Sequence, residues 1–377
     1  MKNYPLKWLL CLCFGALPLT LWAATAPTVP ARAWVLIDQP SSTILASGNA
    51  DVQLAPASLT KMMTAYVLFT DLKNKKLALE DTLYVPASAL KKEGASIFLA
   101  AGEPVNVGIL LQGMLVQSAS DAVLTLVEAV SPTEADFVER MNQEARRLGM
   151  TRTQFLNATG FDQPGHLSTA RDMALLARAL QLHFPQYQHY FVQREFSHKS
   201  ISFYNTNRLL WLDNSVDGLK TGRSARAGYC LVASAKHGEQ RRIAVVLGAA
   251  SDAKRTQGAQ NLLNFGFENF DSARPYRAGQ VIKNVKLYRG MRETVNLGFS
   301  QDFYLLVAKG AAPRVKAQVL TRQPMVAPVR RGQPLGTLRL SLDGAILGDY
   351  PLLAMHDVEV AGIFGRGWDS IKMLFAR

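Results

Sequence analysis

The chain has 377 residues, 48% of them hydrophobic and 19% charged, with a formal net charge of +13. That length and balance allow two domains with sizeable cores, and they exclude a disordered or low-complexity protein. The positive charge suits nucleic acid, anionic lipid headgroups or carboxylate-bearing wall polymers, but no zinc finger, P-loop or other nucleic-acid motif supports the first of these.

Lys2 and Lys7 precede an apolar run from Trp8 to Trp22, and small residues follow at Ala23, Ala24 and Ala26. The pattern predicts a secretory signal peptide over residues 1–24. A transmembrane helix is the alternative, but the run is short for a span and Pro/Thr-rich sequence follows it. Cleavage removes Cys11 and Cys13 and leaves Cys230 alone, so no internal disulfide is expected. Cys230 lies in the apolar run Tyr229–Ala233 and reads as a buried small hydrophobe. Lys2 and Lys7 are the leader's only charges, so the rest of the chain carries +11.

Residues 27–272 read as one α+β (mixed α/β) unit. Ala33–Ile37 is a strand, and Ser41–Ala46 follows the Gln39-Pro40 turn as its hairpin partner. Pro56-Ala57-Ser58-Leu59-Thr60-Lys61-Met62-Met63 opens a helix over residues 58–70 that is too apolar to be exposed. Residues 107–130 and 132–149 have helical periodicity, with Gly149 and Gly165 in loops. Another helix runs from Ser168, its expected N-cap, to about Leu182. Tyr229–Ala235 and Arg242–Leu247 read as adjacent buried strands. Strands at both ends with helices between imply a sheet assembled from both ends of the unit.

Residues 273–360 differ, with short alternating segments and a hairpin signal at Asp343-Gly344, and predict a small all-β domain. In residues 361–377, Phe364, Trp368, Ile371, Leu374 and Phe375 share one helical face, while Arg366, Lys372 and Arg377 outnumber Asp369. This composition predicts an amphipathic helix lying in a membrane interface; a terminal helix packed on its own domain is the alternative.

Ser58 and Lys61 are three residues apart, so they share one face of the buried helix. Burial disfavours an ammonium ion, and a neutral lysine beside a serine is a base beside a nucleophile. The pattern alone is weak, because Ser-x-x-Lys also occurs at Ser88/Lys91 and Ser251/Lys254. Two later segments select the first match. They are Val116-Gln117-Ser118-Ala119-Ser120-Asp121-Ala122, between two helical stretches, and Val216-Asp217-Gly218-Leu219-Lys220-Thr221-Gly222-Arg223, leading into the strands near 229–247.

In that order the three segments resemble the motif set of penicillin-binding proteins and serine β-lactamases. The surrounding words, including Leu210-Trp211, Ser168-Thr169-Ala170-Arg171-Asp172-Met173-Ala174 and Ala227-Gly228-Tyr229, are similar to the D-alanyl-D-alanine carboxypeptidases of low molecular mass, the S11 peptidases. The resemblance spans the chain beyond the leader. It implies a β-lactamase/transpeptidase-like domain, with an antiparallel sheet and a helical subdomain, ahead of the β domain and terminal helix.

It further implies that Ser58 attacks the bond between two terminal D-alanines of a peptidoglycan stem peptide, and that β-lactams acylate the same serine. Lys61, kept neutral by burial and by Lys220, takes the serine proton. Ser118 passes a proton to the leaving amine. Backbone N–H groups of Ser58 and Arg223 form the oxyanion hole. Lys220 and Thr221 hold the terminal carboxylate, and Gly222 lets the strand approach the substrate backbone. No metal or cofactor is implied. The expected location is the periplasmic face of the inner membrane.

One position departs from the pattern. Ser120 stands where the family has asparagine, and a serine hydroxyl is shorter, with one donor instead of two. Three rival readings follow: a β-lactamase, an endopeptidase cutting cross-links, or a weakened wall-binding protein. The loop Asn157–Asp162 lacks a glutamate that would activate deacylating water in the first.

Overall fold

A computed structural model describes residues 26–90 and 94–362, which fall into two compact units, one ending at Ser272 and the other beginning at Ala273. The expected leader and nearly all of the terminal amphipathic segment lie outside the described residues.

In the first unit, β1 (Ala33–Asp38) turns at Gln39-Pro40 into β2 (Ile44–Gly48), antiparallel, with Trp34 opposite Gly48. A short 3-10 turn (Ala57–Thr60) leads into α1 (Lys61–Lys73). The small pair β3 (Thr82–Tyr84) and β4 (Pro104–Asn106) precedes α2 (Val107–Gln112) and α3 (Ser120–Val130). Then come α4 (Glu134–Arg147), α5 (Ala170–His183), α6 (His189–Val192), the hairpin β5 (Glu195–His198) and β6 (Ile201–Tyr204), and α7 (Leu209–Leu212). Three long strands, β7 (Val216–Ser224), β8 (Gly228–His237) and β9 (Gln240–Ala249), and α8 (Asp252–Asn269) close the unit.

The first two strands and the last three make one antiparallel sheet in the order β2-β1-β9-β8-β7, as the two-ended reading expects. Alternation sorts each strand's side chains between two layers. Val35 and Ile37 of β1 join the core that contains α1 and α5, whereas Leu36 points to Gly266 of α8. Helix α1 is buried nearly all round, from Lys61 through Phe69, which explains why its sequence is apolar without a polar face. Each fully buried Leu, Met or Phe there stabilises the fold by about 1.5–3 kcal/mol.

Two local expectations are corrected. The cap of α5 is Thr169, whose hydroxyl accepts from the Asp172 N–H at 3.0 Å. Ser168, one residue earlier, pairs by its backbone with Leu54, so it joins two distant loops and does not cap the helix. Periodicity over 107–130 hides a break. After α2 the chain widens into a π-turn (Gly113–Gln117), and Ser118 then takes a left-handed conformation (φ 65°, ψ 28°) before α3 begins. Apolar spacing persists because both halves face the same core, so it gives no sign of the interruption.

The second unit contains a six-stranded sheet in the order β14-β16-β17-β12-β11-β15, and the pair β10 (Phe270–Tyr276) with β13 (Phe303–Ala308). The six strands are β11 (Val281–Tyr288), β12 (Thr294–Gly298), β14 (Val315–Thr321), β15 (Met325–Val326), β16 (Pro334–Leu342) and β17 (Ala345–Ala354). Val285, Leu287, Val295, Leu297, Leu338, Leu340 and Leu352 fill its core at alternate positions. Asp343 (φ 50°) and Gly344 (φ 88°) form the hairpin turn expected from their sequence.

Candidate active site

Ser58 sits in the 3-10 turn just ahead of α1, after Ala57 in a left-handed conformation (φ 47°). The Lys61 amine lies beneath it, 2% exposed, 3.2 Å from Ser58 Oγ, and donates to the Thr159 carbonyl at 2.7 Å. Burial pushes the Lys61 pKa down to about 7, against the opposing pull of the Asp121 carboxylate. Repulsion from Lys220, expected as a second cause, is felt by Lys220 itself. Its amine is held well below the ordinary lysine range by burial first, then by Lys61 and Arg255.

Strand β7 is the free edge of the main sheet, and it presses against the Ser58 turn. A Cβ on Gly222 would stand 3.0 Å from the Pro56 carbonyl oxygen and 3.2 Å from the backbone nitrogens of Ser58 and Leu59. The glycine therefore serves the approach of β7 to the nucleophile's own backbone. Gly160 closes the turn from the other side. At φ +90° its Cβ would lie 2.0 Å from the Ala57 carbonyl oxygen. The Ser58 turn is thus fitted between a strand and a loop at two points where no side chain can intrude.

A cavity of about 440 Å³ opens over this turn, and Ser58, Lys61, Ser118, Ser120, Thr221 and Arg223 all reach its wall, as does Gly222. Of the sequence-selected residues only Lys220 does not. It is 1% exposed, with its amine turned to the Thr221 carbonyl at 3.3 Å. Ser118 Oγ is buried with no hydrogen-bond partner. With no protein partner, this hydroxyl in the cavity wall can donate to or accept from a group bound there. The left-handed backbone of Ser118 is what turns this hydroxyl away from helix bonding. Ser120 is buried, and a Cβ on Gly94 would come within 2.9 Å of its Oγ.

Several contributors carry no local signal in the sequence. Asp121 accepts from the Ile97 and Leu99 N–H groups and the Ser96 hydroxyl, and so holds the loop that brings Gly94 and Ala95 to the cavity. Thr206 reaches the wall beside Thr221 and shares a hydrogen bond with its hydroxyl. Arg255, in α8, donates to the carbonyls of Gly222 and Cys230, at 3.1 and 3.2 Å, and lines the same cavity. Behind the turn, His166 accepts from the Leu156 N–H, so its other ring nitrogen carries the proton towards Thr60 Oγ1 at 2.8 Å. Burial lowers the His166 pKa to about 4, keeping the ring neutral. Among the described residues no cluster of metal ligands occurs.

The arrangement can acylate a serine: a nucleophile, an amine of lowered pKa beside it, an unpartnered hydroxyl opposite, and a strand edge able to bind an extended peptide. A family model described as D-alanyl-D-alanine carboxypeptidase matches residues 21–251, and one described as penicillin-binding protein 5, C-terminal domain, matches residues 270–360. The chain is 41% identical to the D-alanyl-D-alanine carboxypeptidase DacC of Escherichia coli, over 93% of this chain and 90% of that one. It is 35% identical to DacF of Bacillus subtilis, over 88% and 87%. Penicillin-binding protein 5 of Haemophilus influenzae superposes with a TM-score of 0.85 at 34% identity, over 89% of this chain and 99% of that one. Penicillin-binding protein D2 of Listeria monocytogenes, in its ampicillin-bound form, superposes with a TM-score of 0.60 at 30% identity, over 65% and 100%.

Proposed function

The chain belongs to the D-alanyl-D-alanine carboxypeptidase family, and from that premise we infer that Ser58 is the nucleophile with which it removes the terminal D-alanine from peptidoglycan stem peptides. The observation that carries this assignment is the Lys61 amine, 3.2 Å from Ser58 Oγ and lowered by burial to about 7. Neutral Lys61 accepts the hydroxyl proton as Oγ attacks the penultimate carbonyl. The Ser58 and Arg223 N–H groups receive the developing oxyanion. The peptide C–N bond then breaks, Ser118 delivers a proton to the leaving amine, and D-alanine departs. Water hydrolyses the remaining ester and frees the shortened stem.

Thr221, in the cavity wall, receives the terminal carboxylate, and Arg255 braces the strand beside it through the Gly222 carbonyl. Lys220, whose amine lies below the surface, acts on that subsite by bonding the Thr221 carbonyl and so holding Thr221 in place. A β-lactam presents its ring amide where the D-alanyl bond lies, so it acylates the same serine, as the ampicillin-bound Listeria relative supports. The test is mass spectrometry of a pentapeptide ending in two D-alanines. Loss of one alanine that disappears in Ser58→Ala is the expected result; release that survives that change overturns the Ser58 assignment.

The leader pattern over residues 1–24 and the aromatic-basic face of residues 361–377 support export and peripheral attachment to the outer surface of the cytoplasmic membrane. Among the described residues no helix is long and apolar enough to cross a membrane. Truncation at Gly362 is expected to move the protein from the membrane pellet to the supernatant, and unchanged pelleting removes the anchor.

A further inference from the structure

The active-site cavity has one acidic side chain in its wall, Asp162, and two guanidinium groups, Arg223 and Arg255. The two cations are not equivalent. Arg255 is buried and its charge is met: Nε donates to Asp252 Oδ1 at 2.8 Å, a terminal nitrogen lies 2.6 Å from the same oxygen, and the other bonds two main-chain carbonyls. Arg223 is exposed, and its guanidinium stands 5.1 Å from the centre of the Tyr229 ring, which Arg255 also approaches at 5.5 Å. No carboxylate pairs with Arg223 among the described residues.

Asp162 lies beside Arg223 and Arg226 without a salt bridge to either guanidinium, so its charge offsets only one of the two cations on this side of the cavity. One carboxylate oxygen accepts from the Ser224 hydroxyl at 2.7 Å, and the other from the Arg226 N–H at 3.1 Å. Ser224 Oγ in turn accepts from the Ala227 N–H. These bonds pin the turn between β7 and β8. The guanidinium of Arg226, exposed on that turn, likewise pairs with no carboxylate among the described residues. Arg223 in the cavity wall and Arg226 on the adjoining turn therefore outnumber the one carboxylate beside them, on a fixed backbone where less side-chain and loop entropy is lost on binding an anion than on a mobile loop.

The direction of the substrate follows from the site. With the terminal carboxylate at Thr221 and the scissile carbonyl at the Arg223 N–H, the last D-alanine occupies that interval. A peptide extended along the free edge of β7 then continues past Ser224 towards Arg226. We propose that Arg223 and Arg226 form an anion subsite for a second carboxylate of the substrate, upstream of the scissile bond. The enzyme thereby selects stem peptides with a free side-chain carboxylate over stems amidated at that position. This inference rests on the carboxypeptidase reading above and names which class of stem the site prefers.

The test uses two pentapeptides, identical except that one upstream side chain is a carboxylate in one and a carboxamide in the other. The native chain is expected to favour the acid in kcat/KM by about ten-fold at low ionic strength, as a charge-assisted contact allows. The preference is expected to fall to about three-fold in Arg226→Gln and to about one in Arg223→Gln/Arg226→Gln, and to shrink in the native chain as salt screens it. A native ratio near one overturns the subsite. So does a double variant that slows both peptides equally, since that result reports damage to the shared site. Failure of the native chain to release D-alanine from either peptide removes the carboxypeptidase reading, and the subsite with it.

Discussion

Ser58-x-x-Lys61 and Ser251-x-x-Lys254 are the same four-residue pattern in two settings. At the start of α8, Ser251 has an extended backbone, and its hydroxyl accepts from the Lys254 backbone N–H at 3.2 Å, as an ordinary N-cap does. Lys254 is exposed. At the start of α1, the serine lies inside a 3-10 turn, and its hydroxyl meets the lysine's side-chain amine, which is buried under the chain. The third match, Ser88/Lys91, sends its serine hydroxyl to Glu128, and Lys91 lies outside the described residues. What makes chemistry of the motif is therefore the depth of the lysine and the fixed turn above it, not the spacing.

The comparison is broken most directly at the serines. Ser58→Ala is expected to abolish covalent labelling by penicillin, while Ser251→Ala leaves labelling at the native level; gel fluorescence of labelled protein reads both. If Ser58→Ala still labels, the two motifs are not distinguished in the way the geometry requires.

The fixed turn is tested at Gly160. Alanine there puts a Cβ 2.0 Å from the Ala57 oxygen at a φ that L-residues avoid. We expect about 3 kcal/mol or more of destabilisation and at least about a hundred-fold slower acylation of whatever protein folds. A denaturant titration and stopped-flow kinetics measure the two. Native values in both assays would show that the turn tolerates what its geometry forbids.

Lysine depth sets a pH dependence. The Lys61 pKa is lowered, so the neutral, proton-accepting form prevails above about pH 7 and is lost as pH falls through that value. The acylation rate constant is expected to drop by about ten-fold per unit below pH 6 and to level off above pH 8. A profile flat from pH 5 to 8 would exclude Lys61 as the base.

Ser120→Asn restores the two amide donors of the family pattern and extends the side chain beside Gly94. It is expected to raise β-lactam acylation about three- to ten-fold, the worth of one net hydrogen bond. An unchanged or lower rate means that Ser120 is not a defect. The smallest effect belongs to the other motif: Ser251→Ala is expected to cost about 1 kcal/mol of stability through the lost cap, visible as a lowered midpoint in urea.

Much of the fold is legible from local pattern. Ala33–Ile37, Tyr229–Ala235 and Arg242–Leu247 announce strands because they are β-branched and apolar runs, and the structure pairs them as β1, β8 and β9. The same patterning misses the break at Ser118, because an apolar face continues on both sides of it. It also misplaces the cap of α5 by one residue, since Ser168 and Thr169 are chemically equivalent caps and only the pairing of Ser168 with Leu54 decides between them.

By itself the sequence determined the residue types of the site: a serine and lysine on one buried helical face, the Ser118 segment and the Lys220-Thr221-Gly222 strand. These are short-range features, readable because spacing along a helix or strand maps directly onto a face. The tertiary structure alone decided which residues complete them. The Thr159 carbonyl reaches Lys61 across 98 positions, Gly160 fits under Ala57, and Arg255 reaches Gly222 from α8. Such contacts leave no periodic trace, because they are made by the packing of separate elements around one turn.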